Sequence, residues 1–220
     1  MSGIVCFEVV FHLVPLYVLL IYQRVQKLYK VHILIASLII FSFLADLIGL
    51  LFAKYGQNTY VVFSLYLIIE RVISVLVLNS FSTISLKIKK LILAAILIVS
   101  IIQISSCFFN NYLSQNDYIN LFAGVIIGLF ALHTSFNLVF KAVDDSLKID
   151  LNILPVLAIF FFMSAMLIPD MITNIDDSIE FPELFQQVRI GVAVGSNIIR
   201  DSLFAFFFFK VKKINYDTGK

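Results

Sequence analysis

Tryptophan is absent from this chain, cysteine occurs twice, histidine three times, and charged residues make up only 14% of it. Each scarcity excludes something. No lysine lies inside the last apolar run, 185–209, so a retinal Schiff base has no attachment point there. Walker and dinucleotide-binding glycine motifs are missing. There is no exposed basic domain, so sequence-specific nucleic-acid binding is not expected. His12, His32 and His133 are scattered, and the last apolar run holds no histidine. A histidine-rich zinc site is therefore not expected, and neither is a cofactor. The opening Met1-Ser2-Gly3-Ile4-Val5 carries no basic residue and Glu8 interrupts the apolar run behind it, so no cleavable signal peptide is expected. Cys6 and Cys107 fall near the same ends of their segments, compatible with a disulfide or with two buried thiols.

What the chain has is hydrocarbon. Its 220 residues are 61% hydrophobic, with a mean hydropathy of +1.01, far beyond a soluble domain. Seven segments have about the 20-residue length that crosses a bilayer, near 3–22, 33–53, 59–81, 91–109, 118–141, 152–173 and 185–209. Nothing is left over for a soluble domain, so the expected fold is an all-α integral membrane protein of seven transmembrane helices in one domain, 1–220. The expected location is a membrane of the bacterial inner (plasma) kind.

Loop charge gives an orientation. Arg24, Lys27 and Lys30 follow the first span, Lys87, Lys89 and Lys90 the third, Lys141 and Lys148 the fifth. Lys210, Lys212, Lys213 and Lys220 follow the seventh, while the opposite loops hold little beyond Lys54 and Arg189. The positive-inside rule then places the N-terminus outside and the C-terminus in the cytoplasm. Tyr22 and Tyr29 on one side and Tyr55, Tyr60, Tyr112 and Tyr118 on the other supply the interfacial belt that tryptophan usually shares. Membrane lipids are the expected partners, the Lys210-Val211-Lys212-Lys213 tail favouring anionic headgroups. Asp176, Asp177, Glu180 and Glu183 read as a solvated outer loop that also concentrates cations.

Charge inside the spans is the unusual feature. Arg200 and Asp201 interrupt the last span, and Glu70 and Arg71 the third, in reversed order. Each isolated charge at a helix centre costs roughly 2.5–3.5 kcal/mol to insert, so four call for mutual compensation. The economical pairing is Glu70 with Arg200 and Arg71 with Asp201. Glu8 and His12 share one helical face at i, i+4, one turn before Pro15, and read as a proton-relay or ligand site or as a helix-to-helix hydrogen bond. Ser42, Asp46 and Gly49 share a face, as do Tyr66, Glu70 and Ser74. His133 and Asn137 form another i, i+4 polar pair, and Asn197 precedes Arg200 by one turn. The candidate polar site is thus Glu8, His12, Asp46, Tyr66, Glu70, Arg71, His133, Asn137, Asn197, Arg200 and Asp201. The fourth span, polar only at Ser100, Gln103, Ser105 and Ser106, reads as a connector.

Gly124-x-x-x-Gly128 and Gly191-x-x-x-Gly195 are small-residue packing faces, through which a homo-oligomer is admissible. Spans 1–3 overlay spans 5–7 with the fourth as linker, setting His12 on His133, Asp46 on Asp170 and Glu70-Arg71 on Arg200-Asp201. This 3+1+3 parallel arrangement resembles that of SWEET-type sugar transporters in architecture alone, since their proline–glutamine signature is absent. Separately, Phe43-Leu44-Ala45-Asp46-Leu47-Ile48-Gly49 and Arg200-Asp201-Ser202-Leu203-Phe204-Ala205 resemble two stretches of the lysoplasmalogenase (YhhN-type) membrane hydrolases. Those proteins carry Gly-Asp early and Ser-Asp late, where this chain has Ala45 and Arg200, and eight spans rather than seven. The resemblance implies Asp46 and Asp201 as paired catalytic carboxylates cleaving an ether lipid. Without it, the expected function is to bind or pass a small solute or ions, as a transport, sensory or defence-effector component; a structural subunit of a membrane complex is the third reading.

Overall fold

The computed structural model describes residues 9–23, 30–56, 59–109, 113–144, 151–175 and 182–217. Glu8, Cys6, Arg24, Lys27 and the acidic residues 176, 177 and 180 lie outside the described residues, as do the side chains of Cys107, Asp170, Glu183 and Arg189. Among the described residues seven helices follow one another: α1 Leu13–Gln23, α2 Lys30–Lys54, α3 Tyr60–Phe81, α4 Leu86–Phe109, α5 Leu113–Asp144, α6 Ile153–Ile175 and α7 Pro182–Asp217. No strand occurs among the described residues. Among the described residues five helical stretches are long and apolar enough to cross a membrane: Lys30–Lys54, Val62–Phe81, Leu86–Ser105, Tyr118–Phe140 and Ile190–Lys210. Two shorter apolar ones, Val9–Ile21 and Ile153–Leu167, complete the set. The chain is thus a helical bundle compatible with a polytopic membrane protein.

Proline and glycine punctuate these helices where their chemistry requires. Pro15 has no N–H for the carbonyl of Phe11 and its ring crowds that carbonyl. Residues 9–11 are helical, His12 falls in a turn, and α1 resumes at Leu13. Pro155 sits in the first turn of α6 and Pro182 at the first position of α7, where a missing N–H costs nothing. Gly56 takes a positive φ of 65° in the turn that stops α2, with its N–H on the carbonyl of Ala53 at 3.2 Å. α3 ends at Ser82, whose N–H still reaches Leu78 at 2.9 Å.

The helices close into a ring in chain order. α5 packs most closely on α6, α6 on α7 and α2 on α3, and α1 lies against α7 and touches α2. α3 is the best connected, touching α2, α4, α5 and α6. The core divides along its length. Ile35, Leu38, Ile39, Val75, Leu78, Ile96, Ile127, Ile159, Phe204 and Phe208 form a fully buried apolar half. Most of the buried charged side chains gather in the other half, nearer the start of α3 and the end of α2, while His32, Ser82, Thr134 and Ser135 are buried polar residues of the apolar half. Several hydroxyls take no part in that gathering: Ser37, Ser80, Ser100, Ser105, Thr134 and Ser135 donate to the carbonyl four residues back in their own helices.

Candidate functional site

Three helices meet on one imidazole. The break at His12 leaves its ring between α2 and α7, 1% exposed. Nε2 lies 2.8 Å from Asp46 Oδ2, and Nδ1 bonds to Asp201 Oδ2. Each of these contacts needs a proton between nitrogen and oxygen, because a bare nitrogen facing a carboxylate oxygen repels it. Asp46, His12 and Asp201 therefore hold two protons between them and carry one net negative charge. Ser42 Oγ stands 3.4 Å from Nε2 on the same side.

Arg200 supplies the positive charge. Its Nη1 donates to Glu70 Oε1 at 2.7 Å and to Tyr66 Oη at 3.2 Å, Nη2 to Ser42 Oγ at 3.0 Å, and Nε to Asp201 Oδ1 at 3.1 Å. The guanidinium carbon lies 4.6 Å over the ring of Phe162 on α6. A planar fork with five donors suits four acceptors set around it, which a lysine could not reach together. α3 and α7 are not among the closely packed helix pairs, and the arginine side chain spans the gap between them.

Tyr66 links the two groups. Its hydroxyl lies 2.8 Å from Glu70 Oε1 and 3.1 Å from Ser42 Oγ. A continuous polar chain results, Asp46–His12–Ser42–Tyr66–Glu70, with Asp201 and Arg200 flanking it. Its ends differ from its middle. The Asp46 side chain is 14% exposed, whereas Glu70, fully buried, keeps Oε2 without a hydrogen-bond partner among the described residues. Glu70 lines a cavity of about 80 Å³ between α3, α5 and α6, with Arg71, Asn120 and Gly124 opposite Phe162 and Met163. That volume has room for a few water molecules.

The expected pairing of Arg71 with Asp201 does not form. Adjacent residues on a helix point about 100° apart, and Arg71 turns to α4 and α5, where Nη1 donates to Gln103 Oε1 at 2.5 Å and Nη2 to Asn120 Oδ1. Asp201 takes His12 and Arg200 instead. α4 is therefore more than a connector, since Gln103 is 1% exposed and anchors an arginine. His133 and Asn137 stand apart from the centre. Their side chains bond each other at 2.9 Å, His133 is exposed, and Asn137 donates to Thr83 Oγ1 at 3.2 Å. Asn197 is half-buried one turn before Arg200. His32 stacks on Phe207 at 5.5 Å between ring centres, away from His12.

Sequence reasoning left Ser42, Gln103, Asn120 and Phe162 out of the site. Ser42 was visible as the i−4 neighbour of Asp46, whereas Phe162 is one ring in Phe160-Phe161-Phe162 and nothing in the sequence singles it out. Among the described residues no group of three or more His, Cys, Asp or Glu is arranged to hold a metal ion. Gly124 is buried where a Cβ would meet Leu167 at 2.9 Å, so its missing side chain admits α6; around Gly191 and Gly195 nothing lies within 4 Å. No protein-family model, curated protein or solved structure matches this chain.

Proposed function

We propose that this chain is a membrane transport protein that binds protons on its buried polar network and passes them across the bilayer, linked to a small polar solute at the Glu70 cavity. The observation that carries the reading is the hydrogen-bonded chain from half-buried Asp46 through His12, Ser42 and Tyr66 to Glu70 and its cavity. Ser42 and Tyr66 each donate and accept, and His12 Nε2 can accept from Ser42 once its own proton has passed to Asp46, so a proton is relayed by successive transfers. Arg200 opposes an excess proton beside Glu70, which makes the network a holder of protons rather than an open wire. The apolar half of the core beneath it blocks water, so release to the far side requires the helices to move, as a carrier does.

With the N-terminus outside and the C-terminus in the cytoplasm, the polar half faces outward and the apolar seal inward. Labelling checks that orientation in a cysteine-free background: Cys at Ser2 reacts in intact cells, and Cys at Ser85 only after permeabilisation. The 3+1+3 repeat belongs to the same proposal. Its equivalent positions Glu70 and Arg200 face each other, although His12 and His133 occupy unlike surroundings. Association of copies falls to the open Gly191 and Gly195 face.

The test is proton movement in proteoliposomes with an internal pH dye and an imposed membrane potential. The wild type should exceed empty vesicles, and Tyr66→Phe, which removes only the hydroxyl, should lower the flux at least tenfold. Flux at the empty-vesicle level, or unaffected by Tyr66→Phe, removes the reading.

The convergence of Asp46 and Asp201 on His12 supports a second reading, a lipid hydrolase of the kind the lysoplasmalogenase resemblance implies. Both oxygens of Asp201 are already taken, Oδ1 by Arg200 and Oδ2 by His12, which leaves Asp46 as the carboxylate open to a substrate and ranks this reading below transport. Incubation with a vinyl-ether lysophospholipid decides it, through aldehyde release that Asp46→Asn abolishes.

A further inference from the structure

Lysines crowd the end of the bundle where α2 and α4 begin. Lys30 opens α2, and Lys87, Lys89 and Lys90 lie in the first turns of α4. A helix N-terminus carries positive partial charge, so cations there add to the field instead of cancelling it. Lys89 is compensated within the protein: its ammonium donates to the carbonyls of Asn79 at 2.8 Å and Ser82 at 2.6 Å, at the negative end of α3. Lys30 and Lys90 are exposed, and among the described residues no carboxylate pairs with them.

These three lysines border a groove of about 350 Å³ between α2, α3 and α4, whose apolar lining is Leu76, Leu86 and Leu93. Ammonium groups and leucines lining one groove call for a ligand that is anionic at one end and aliphatic at the other. Leu86, Leu93 and Leu97 repeat at helical spacing down α4, and Leu86 and Leu97 are 68% and 44% exposed. The apolar lining therefore continues along the membrane-facing side of the helix. We infer that this groove is a binding site for an anionic phospholipid, its phosphate among Lys30, Lys89 and Lys90 and an acyl chain along Leu86, Leu93 and Leu97. The lysines stand at helix ends, the depth at which headgroups lie. A soluble phosphate would use the lysines and leave the leucines without a role.

The test uses the purified full chain in detergent, with lipid affinity read by native mass spectrometry and thermal shift. Phosphatidylglycerol should bind more tightly than phosphatidylcholine of the same acyl chains. Lys30→Ala with Lys90→Ala should weaken phosphatidylglycerol about fivefold per lysine and about twenty-five-fold together. Lys87→Ala, at the same helix end but outside the groove, should leave it within about twofold; Lys30→Gln with Lys90→Gln replaces the alanine pair should that fail to fold. Equal binding of the two lipids overturns the assignment. So does an equal loss with Lys87→Ala, which signals diffuse attraction, or a full shift from glycerol 3-phosphate alone, which signals a soluble-anion site. None of these readouts depends on proton flux, so the site and the transport reading stand or fall separately.

Discussion

Substituting Arg200 by glutamine removes a guanidinium that touches Glu70, Asp201, Tyr66, Ser42 and the face of Phe162 at once. Arg200 and Glu70 are each 1% exposed, so solvent screens little of what is lost. Breaking a buried ion pair from one side costs about 3–5 kcal/mol, chiefly because the surviving charge stays buried without its counter-ion. For a chain of this size each kcal/mol moves the midpoint by about 2–4 °C, so Arg200→Gln should lower Tm by about 6–20 °C. Glu70→Gln should cost less, since the amide keeps an acceptor for Arg200 and the cation retains Asp201. The double variant removes both charges of the pair and should be less damaging than the two singles summed, by at least about 2 kcal/mol. Thermal unfolding in one detergent, with size-exclusion chromatography to verify monodispersity, supplies all three values. Strict additivity would refute the idea that these two residues stabilise each other.

Asp201→Asn should destabilise more than Asp46→Asn by about 1–3 kcal/mol in the same assay, because Asp201 serves both Arg200 and His12 while Asp46 is part-exposed and serves His12. Gly124→Ala should lower Tm, as its Cβ meets Leu167 at 2.9 Å, whereas Gly128→Ala, with nothing within 4 Å, should raise it by the helix propensity of alanine, about 0.5–1 kcal/mol. Gln103→Leu should cost about 1–3 kcal/mol through the acceptor lost to buried Arg71; an unchanged midpoint would place Arg71's support elsewhere.

Element existence was legible because hydrocarbon runs of this length have few other uses. Each of the seven expected segments overlaps a helix, although residues 3–8 of the first lie outside the described residues and α5 and α7 run well past the apolar windows at 32 and 36 residues. Glu70 and Arg200 could be matched from depth and sign, since an unpaired charge in an apolar run is expensive wherever it sits. What a helix face looks at was not legible. His12 and His133 have similar local patterns, an acidic or amide neighbour at helical spacing, yet one is at the centre and the other at the surface. The difference lies in Pro15, which opens the helix at His12, and in which neighbours the ring of helices brings alongside. Arg71 failed for the same reason: compensation by charge count ignores direction, and a buried amide, Gln103, with part-buried Asn120 served where a carboxylate was expected.

The partners of His12 are far apart in time as well as in sequence. Its contact with Asp201 spans 189 residues, and that of Glu70 with Arg200 spans 130. At about 5–20 residues per second the ribosome needs about 10–40 s to travel from His12 to Asp201. Once Glu70 has been made, 130 residues still separate it from the arginine that neutralises it, about 6–26 s at the same rate. The final helix is therefore the moment of completion in biogenesis. A chain cut short before Arg200 carries buried acids that lipid cannot solvate, and would be held at the insertion machinery or handed to membrane proteases. The charge network is thus complete only once α7 has been made.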